Sequence, residues 1–108
     1  MKIIVNRFIP FKGFKAINIF GVVFVRRGTK LKQYSLNHEA IHTAQMKDLF
    51  YLSFYLFYVA EFLYHLIRKR SWMKAYRSIS FEREAFANQS NYHYLDNRES
   101  FAQWTKKE

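Results

Sequence analysis

Two histidines four residues apart, His38 and His42, with Glu39 directly after the first, are the residues whose types and spacing point to chemistry. On a helix, positions i and i+4 stand one turn apart on the same face, so both imidazoles aim at a single ion. Zinc accepts such nitrogens at about 2.0–2.1 Å in tetrahedral geometry. Glu39 lies beside this stripe, where its carboxylate reaches a water held by the metal. The metal lowers the pKa of that water towards about 7, and the glutamate takes its proton during attack. The HExxH spacing thus encodes two ligands and a general base. The plainer reading is an amphipathic helix that happens to carry two histidines. Chance produces the pattern on the order of once in a hundred chains of this kind.

One ligand remains to be found. The chain has no cysteine, which excludes a cysteine zinc finger, a thiolate nucleophile and a disulfide scaffold. The third ligand is therefore His, Asp or Glu, and Glu61, Glu82, Glu84 and His93 are the candidates. Glu61 and His65 share a helical face inside an apolar stretch, where an i,i+4 ion pair or hydrogen bond is the expectation. The segment Phe81 to Asn88 is the better source. Glu82 shares its face with Ala85, Phe86 and Gln89, which looks inward. Glu84 shares its face with Ser80, Ala87, Asn88 and Asn91, which looks wetter. A carboxylate aimed into a core needs a partner, and a metal is one. The first turn of a helix also favours both glutamates through its dipole, without any metal. Glu82 leads as third ligand, with Glu84 as the alternative.

His38-Glu39-Ala40-Ile41-His42 followed by Glu82-Arg83-Glu84-Ala85 on a later helix resembles the zincin metallopeptidases, on the branch whose third ligand is a glutamate. The chain looks most like short bacterial HExxHxxQ…ExEA proteins, and distantly like membrane-embedded CAAX-processing zinc proteases. The resemblance covers about residues 33 to 92. It implies zinc on His38, His42 and Glu82, with Glu39 as base. The aspartate that follows ExEA in those proteases is Phe86 here, so the usual partner of a zinc-bound histidine is absent. Gln45 and Asn88 are the candidate substitutes.

The elements that must position these residues follow from where the chain is punctuated. Pro10, Gly13, Gly21 and Gly28 fall in the first quarter, and residues 29 to 108 contain neither Gly nor Pro. The last eighty residues are accordingly expected to be mainly helical. The first part carries short β-rich runs, Lys2 to Phe8, Ala16 to Phe20 and Val22 to Arg26, separated by turns at Pro10 to Gly13 and Arg27 to Thr29. Ser35 or Asn37 is expected to cap the first helix, and a later helix should begin near Ser78 or Ser80 and run past Tyr92. The tail from Thr105 is polar and expected to fray. The fold class is therefore α+β: one domain over 1–108, with a short N-terminal antiparallel sheet or hairpin in 1–32 and a helical zincin-like part in 35–104.

Half of the residues are apolar and a fifth aromatic, including twelve Phe and eight Tyr, which excludes disorder. This exceeds what so small a core holds, so part of that surface faces lipid or a partner. Leu49 to Ile67 would span about 28 Å as a helix, near the thickness of a bilayer core. A core helix covered by the sheet and the last helix is the first expectation, ahead of an interfacial helix and a true span. The formal charge of +10, eighteen Lys and Arg against eight Asp and Glu, attracts polyanions. No nucleic-acid motif accompanies it, so a solvated basic face or contact with anionic lipid is the expectation. The start, with Asn6 and Arg7 after three apolar residues, does not read as a signal peptide, and a cytoplasmic address, with association to the inner membrane face, is expected.

The leading functional expectation is a zinc-dependent peptidase acting on a peptide or protein, with Tyr76, His93 and Tyr94 as candidates to stabilise the oxyanion. The alternatives are a zincin-like module without turnover, and a basic protein of membrane surfaces or nucleic acid in which the histidines are incidental.

Overall fold

Strand β3 (Val22–Arg26) alternates inward Val23 and Val25 with half-exposed neighbours, as a strand covered on one face should. It is the middle strand of three in the computed structural model, which describes residues 2–6, 16–28 and 31–105. β2 (Ala16–Ile19) pairs with it antiparallel and β1 (Lys2–Asn6) joins the other edge in parallel. The expected hairpin is β2–β3, and β1 makes the sheet mixed. Phe20 and Gly21 form the two-residue loop between the paired Ile19 and Val22, with φ of 51° and 84°. Left-handed backbone at both positions suits the strand twist. Glycine adopts it freely, whereas Phe20 is strained by about 1–2 kcal/mol. Its N–H donates to the Tyr55 hydroxyl at 2.8 Å and its ring packs on that tyrosine, which offsets the strain. The expected turn at Pro10 to Gly13, the strand residues Arg7 and Phe8, Thr29, and the tail beyond Thr105 lie outside the described residues.

Helix α1 (Gln33–Asp48) begins before either expected cap. Lys32 flanks it with extended backbone and no side-chain cap. Asn37 instead points its amide at the carbonyls of Asn88, Gln89 and Asn91, tying α1 to the end of α4. Phe50 and Tyr51, both at positive φ, then turn the chain so that α2 (Leu52–Lys69) leaves at 110° to α1.

α2 is not the covered core helix expected. Phe54 is its one buried residue, and its far side is bare. No single helix among the described residues is long and apolar enough to cross a membrane. Arg70, left-handed, closes α2. α3 (Trp72–Ser78) opens with Ser71 accepting from the Lys74 N–H, and α4 (Ser80–Asn88) ends before Tyr92, earlier than expected. A single 3-10 turn (Tyr94–Asp96) and α5 (Ala102–Thr105) complete the described chain. Met46, Leu49, Phe54, Ile79 and Phe81 make the apolar core where α1, α2 and α4 meet. Each such side chain contributes roughly 1.5–3 kcal/mol by burial.

Candidate metal centre

α1 turns His38 and His42 inward, and α4 brings Glu82 against them. The Nε2 atoms of the two imidazoles lie 3.1 Å apart, and Glu82 Oε1 lies 3.1 Å from the first and 3.0 Å from the second. All three residues are buried. Four-coordinate zinc with bonds of about 2.0–2.1 Å spaces its ligands roughly 3.3–3.4 Å apart. The observed triangle accommodates such an ion after opening by a few tenths of an ångström.

The hydrogen atoms around the triangle say more. Gln45 donates from Nε2 to the Phe81 carbonyl and to Glu84 Oε1, both at 2.9 Å. Its Oε1 is therefore the atom facing His42 Nδ1 at 2.8 Å, so Nδ1 carries the hydrogen and Nε2 the lone pair. Gln89 Oε1 stands in the same relation to His38 Nδ1, also at 2.8 Å. Tyr58 donates to Glu82 Oε2 at 2.6 Å, leaving Oε1 for the cluster. Three ligand atoms thus converge with Nδ1 of each imidazole and Oε2 of the carboxylate engaged elsewhere, an arrangement compatible with a cation between them. The donor set, two neutral imidazoles and a carboxylate, suits a divalent first-row metal.

Without a metal, a proton takes that place. Burial by itself lowers the pKa of His42, but the charge and hydrogen bond of Glu82 outweigh it and hold His42 at about 9. Burial likewise works to raise the Glu82 pKa, and the charge of His42 with hydrogen bonds from His38, His42 and Tyr58 holds it well below the usual carboxylate range.

Glu84, the alternative to Glu82, does not face the imidazoles. It is fully buried rather than wet, because residues beyond α4 fold over it. Gln45, the Tyr94 hydroxyl, and Nε and Nη2 of Arg98 all donate to its carboxylate. Arg98 also donates to Asp48 at 2.9 Å. The chain His42, Gln45, Glu84, Arg98, Asp48 therefore runs from the His38–His42–Glu82 triangle to the end of α1.

Of the two residues expected to orient a histidine, Gln45 meets His42, but Asn88 does not; its amide donates to the Glu84 carbonyl, and Gln89 meets His38. Phe86 lays its ring edge-to-face against His38, at 4.6 Å between centroids. Glu61 caps α4, accepting from the Ser80 N–H and hydroxyl at 2.7 Å, instead of pairing with His65. His93 is exposed beside Asp96.

A cavity of about 340 Å³ opens beside the triangle. Glu39 lines it, and among the described residues no hydrogen bond or ion pair holds its carboxylate. Tyr76 also lines it, whereas Tyr94 is committed to Glu84, so of the three oxyanion candidates only Tyr76 reaches the cavity. Ala16, Ile17 and Asn18 of the edge strand β2 form another wall. Asn18 holds that strand to α1, donating from Nδ2 to the Glu39 carbonyl and to Thr43 Oγ1, each at 3.0 Å.

Sequence reasoning missed Tyr58, Gln89, Arg98 and the Asn18 clamp. Gln89 had a signal, since it follows Glu82 by seven residues on a face already read as inward. Tyr58 lies one turn after Phe54 on the buried side of α2. Arg98 and Asn18 had none, because their partners lie in distant segments. Comparison with protein-family models, with curated proteins and with solved structures finds no match to this chain.

Proposed function

We propose that this protein is a zinc-dependent peptidase. One observation carries the reading: three acceptors, His38 Nε2, His42 Nε2 and Glu82 Oε1, converge on the wall of a cavity that Glu39 also lines. Zinc bound there supplies Lewis-acid chemistry, polarising a carbonyl and making a water acidic near neutrality. Gln45 and Gln89 hold the imidazoles with Nε2 turned to the centre of the triangle, and Tyr58 holds the carboxylate. Glu39 accepts a proton from the water as its oxygen adds to the scissile carbonyl carbon. The same proton passes to the amide nitrogen as the C–N bond breaks. Burial and the charge of Glu82 push the Tyr76 hydroxyl well above its ordinary pKa. Tyr76 therefore stays protonated, and its hydrogen, shared with Glu82 in this structure, can turn to charge developing on the carbonyl oxygen. The outer edge of β2 offers backbone groups along which an extended peptide can align.

The test is metal analysis of protein purified without chelator, followed by a peptidase assay on unstructured protein. Wild type should carry one zinc and cleave. Glu39→Gln should keep the zinc and lose about a hundredfold to ten-thousandfold in rate. His42→Ala should lose the metal. Zinc without turnover in wild type would reduce the centre to a binding site, and no zinc at all would remove the proposal.

A further inference from the structure

Leu52, Leu56, Val59, Leu63 and Ile67 stand in one row along the outer side of α2, each between 50 and 76 % exposed. Their spacing places them on a single helical face about 22 Å long. Trp72 and Met73, also exposed, continue the apolar surface into α3. An unbroken row of this size on a folded chain implies something that covers it. Its charges indicate what. Glu61, the one acidic residue of α2, turns inward to cap α4, so no carboxylate lies on the row. Arg68, Lys69 and Arg70, all exposed, close the helix at the same end as Trp72.

We infer that this face docks on an anionic phospholipid membrane, with α2 lying in the plane of the interface. Leucine, isoleucine and the Trp72 ring enter the boundary region, and the three basic residues meet the head groups. The chain's charge of +10 opposes a second copy on the same face, and nucleic acid would leave the apolar row uncovered. The inference is independent of the metal reading, since the row lies on the side of α2 away from Glu82.

The experiment is co-sedimentation with vesicles of equimolar phosphatidylcholine and phosphatidylglycerol, against phosphatidylcholine alone, with Trp72 emission followed in parallel. Wild type should bind the anionic vesicles and shift its emission to the blue, and Trp72→Phe should abolish most of that shift. Neutralising Arg68, Lys69 and Arg70 to Gln should weaken binding about a hundredfold, at about fivefold for each charge. Leu63→Glu with Ile67→Glu should abolish binding at physiological salt, and His42→Ala should bind as wild type does. The inference is overturned if wild type ignores anionic vesicles at low salt, or if the Leu63/Ile67 variant binds as well as wild type. A solution dimer that this variant dissolves, formed by a wild type that leaves vesicles unbound, would assign the face to self-association instead.

Discussion

α1 and α2 are joined by three residues bent at Phe50 and Tyr51, yet the inner face of the first and the outer face of the second reverse the usual distribution of polar and apolar groups. α1 hides His38, His42, Thr43 and Gln45, while α2 shows Leu52, Leu56, Val59, Leu63 and Ile67. The difference lies in partners. Each buried polar side chain on α1 is hydrogen-bonded, and among all described residues only Gln103 Nε2 is buried without a partner. A satisfied polar group inside costs little, whereas an unsatisfied one costs about 1–3 kcal/mol. Apolar exposure carries a smaller and divisible penalty, roughly 25 cal/mol for each Å² left in water. The polar interior should thus be fragile to single changes and the apolar exterior indifferent to them.

The largest effect is expected deep in the polar network. Glu84→Ala leaves the Arg98 side chain buried with one carboxylate, Asp48, and one neutral acceptor, Gln103 Oε1, and urea unfolding should show a loss of about 3–5 kcal/mol. A loss under 1 kcal/mol would mean that water reaches Arg98 and that the interior is not closed. Next comes pH. The folded pKa of His42 is raised, so its contribution is complete below about pH 6.5 and lost as pH rises towards about 9. That of Glu82 is depressed, so its contribution is present above about pH 4.5 and lost as pH falls. Both shifts describe one ion pair. Thermal melting of metal-free protein should accordingly peak between these limits, by a few kcal/mol at most. On the proposed reading zinc takes the place of the proton, so its stabilising effect should grow as pH rises towards about 9. A zinc effect that shrinks with pH would place the ion elsewhere.

Gln45→Met removes the acceptor that keeps the His42 hydrogen on Nδ1. Zinc affinity, measured against a competing chelator, should fall about 10–100-fold. An unchanged affinity would show that the tautomer needs no such anchor. The smallest effect belongs to α2: Leu63→Glu should shift unfolding by no more than about 0.5 kcal/mol, despite replacing a leucine with a charge. A loss of several kcal/mol would mean that the face is covered in the free protein.

Some of this was legible in the residues themselves. That His38 and His42 share a face, and that Glu82 looks inward with Gln89, follow from helical periodicity acting over one or two turns. The β-rich start followed by helices follows equally from where Gly and Pro fall. Two local signals misled. Ser35 and Asn37 resemble caps, but Asn37 has carbonyls to meet more than fifty residues away. Glu84 sits among Ser80, Asn88 and Asn91, but Tyr94 and Arg98 close over it from outside its helix.

The sequence by itself determined the periodic properties: which side chains stand together along one helix or strand, and where chain breakers forbid either. Only the tertiary structure decided that Glu82 reaches the imidazoles while Glu84 anchors Arg98. It also decided that the chain bends at Phe50 and Tyr51 without a glycine, and that an apolar helix keeps one face bare. The physical reason is distance along the chain. Periodicity is dictated by backbone geometry within a few residues, whereas burial and pairing depend on which remote segment arrives to supply the missing partner.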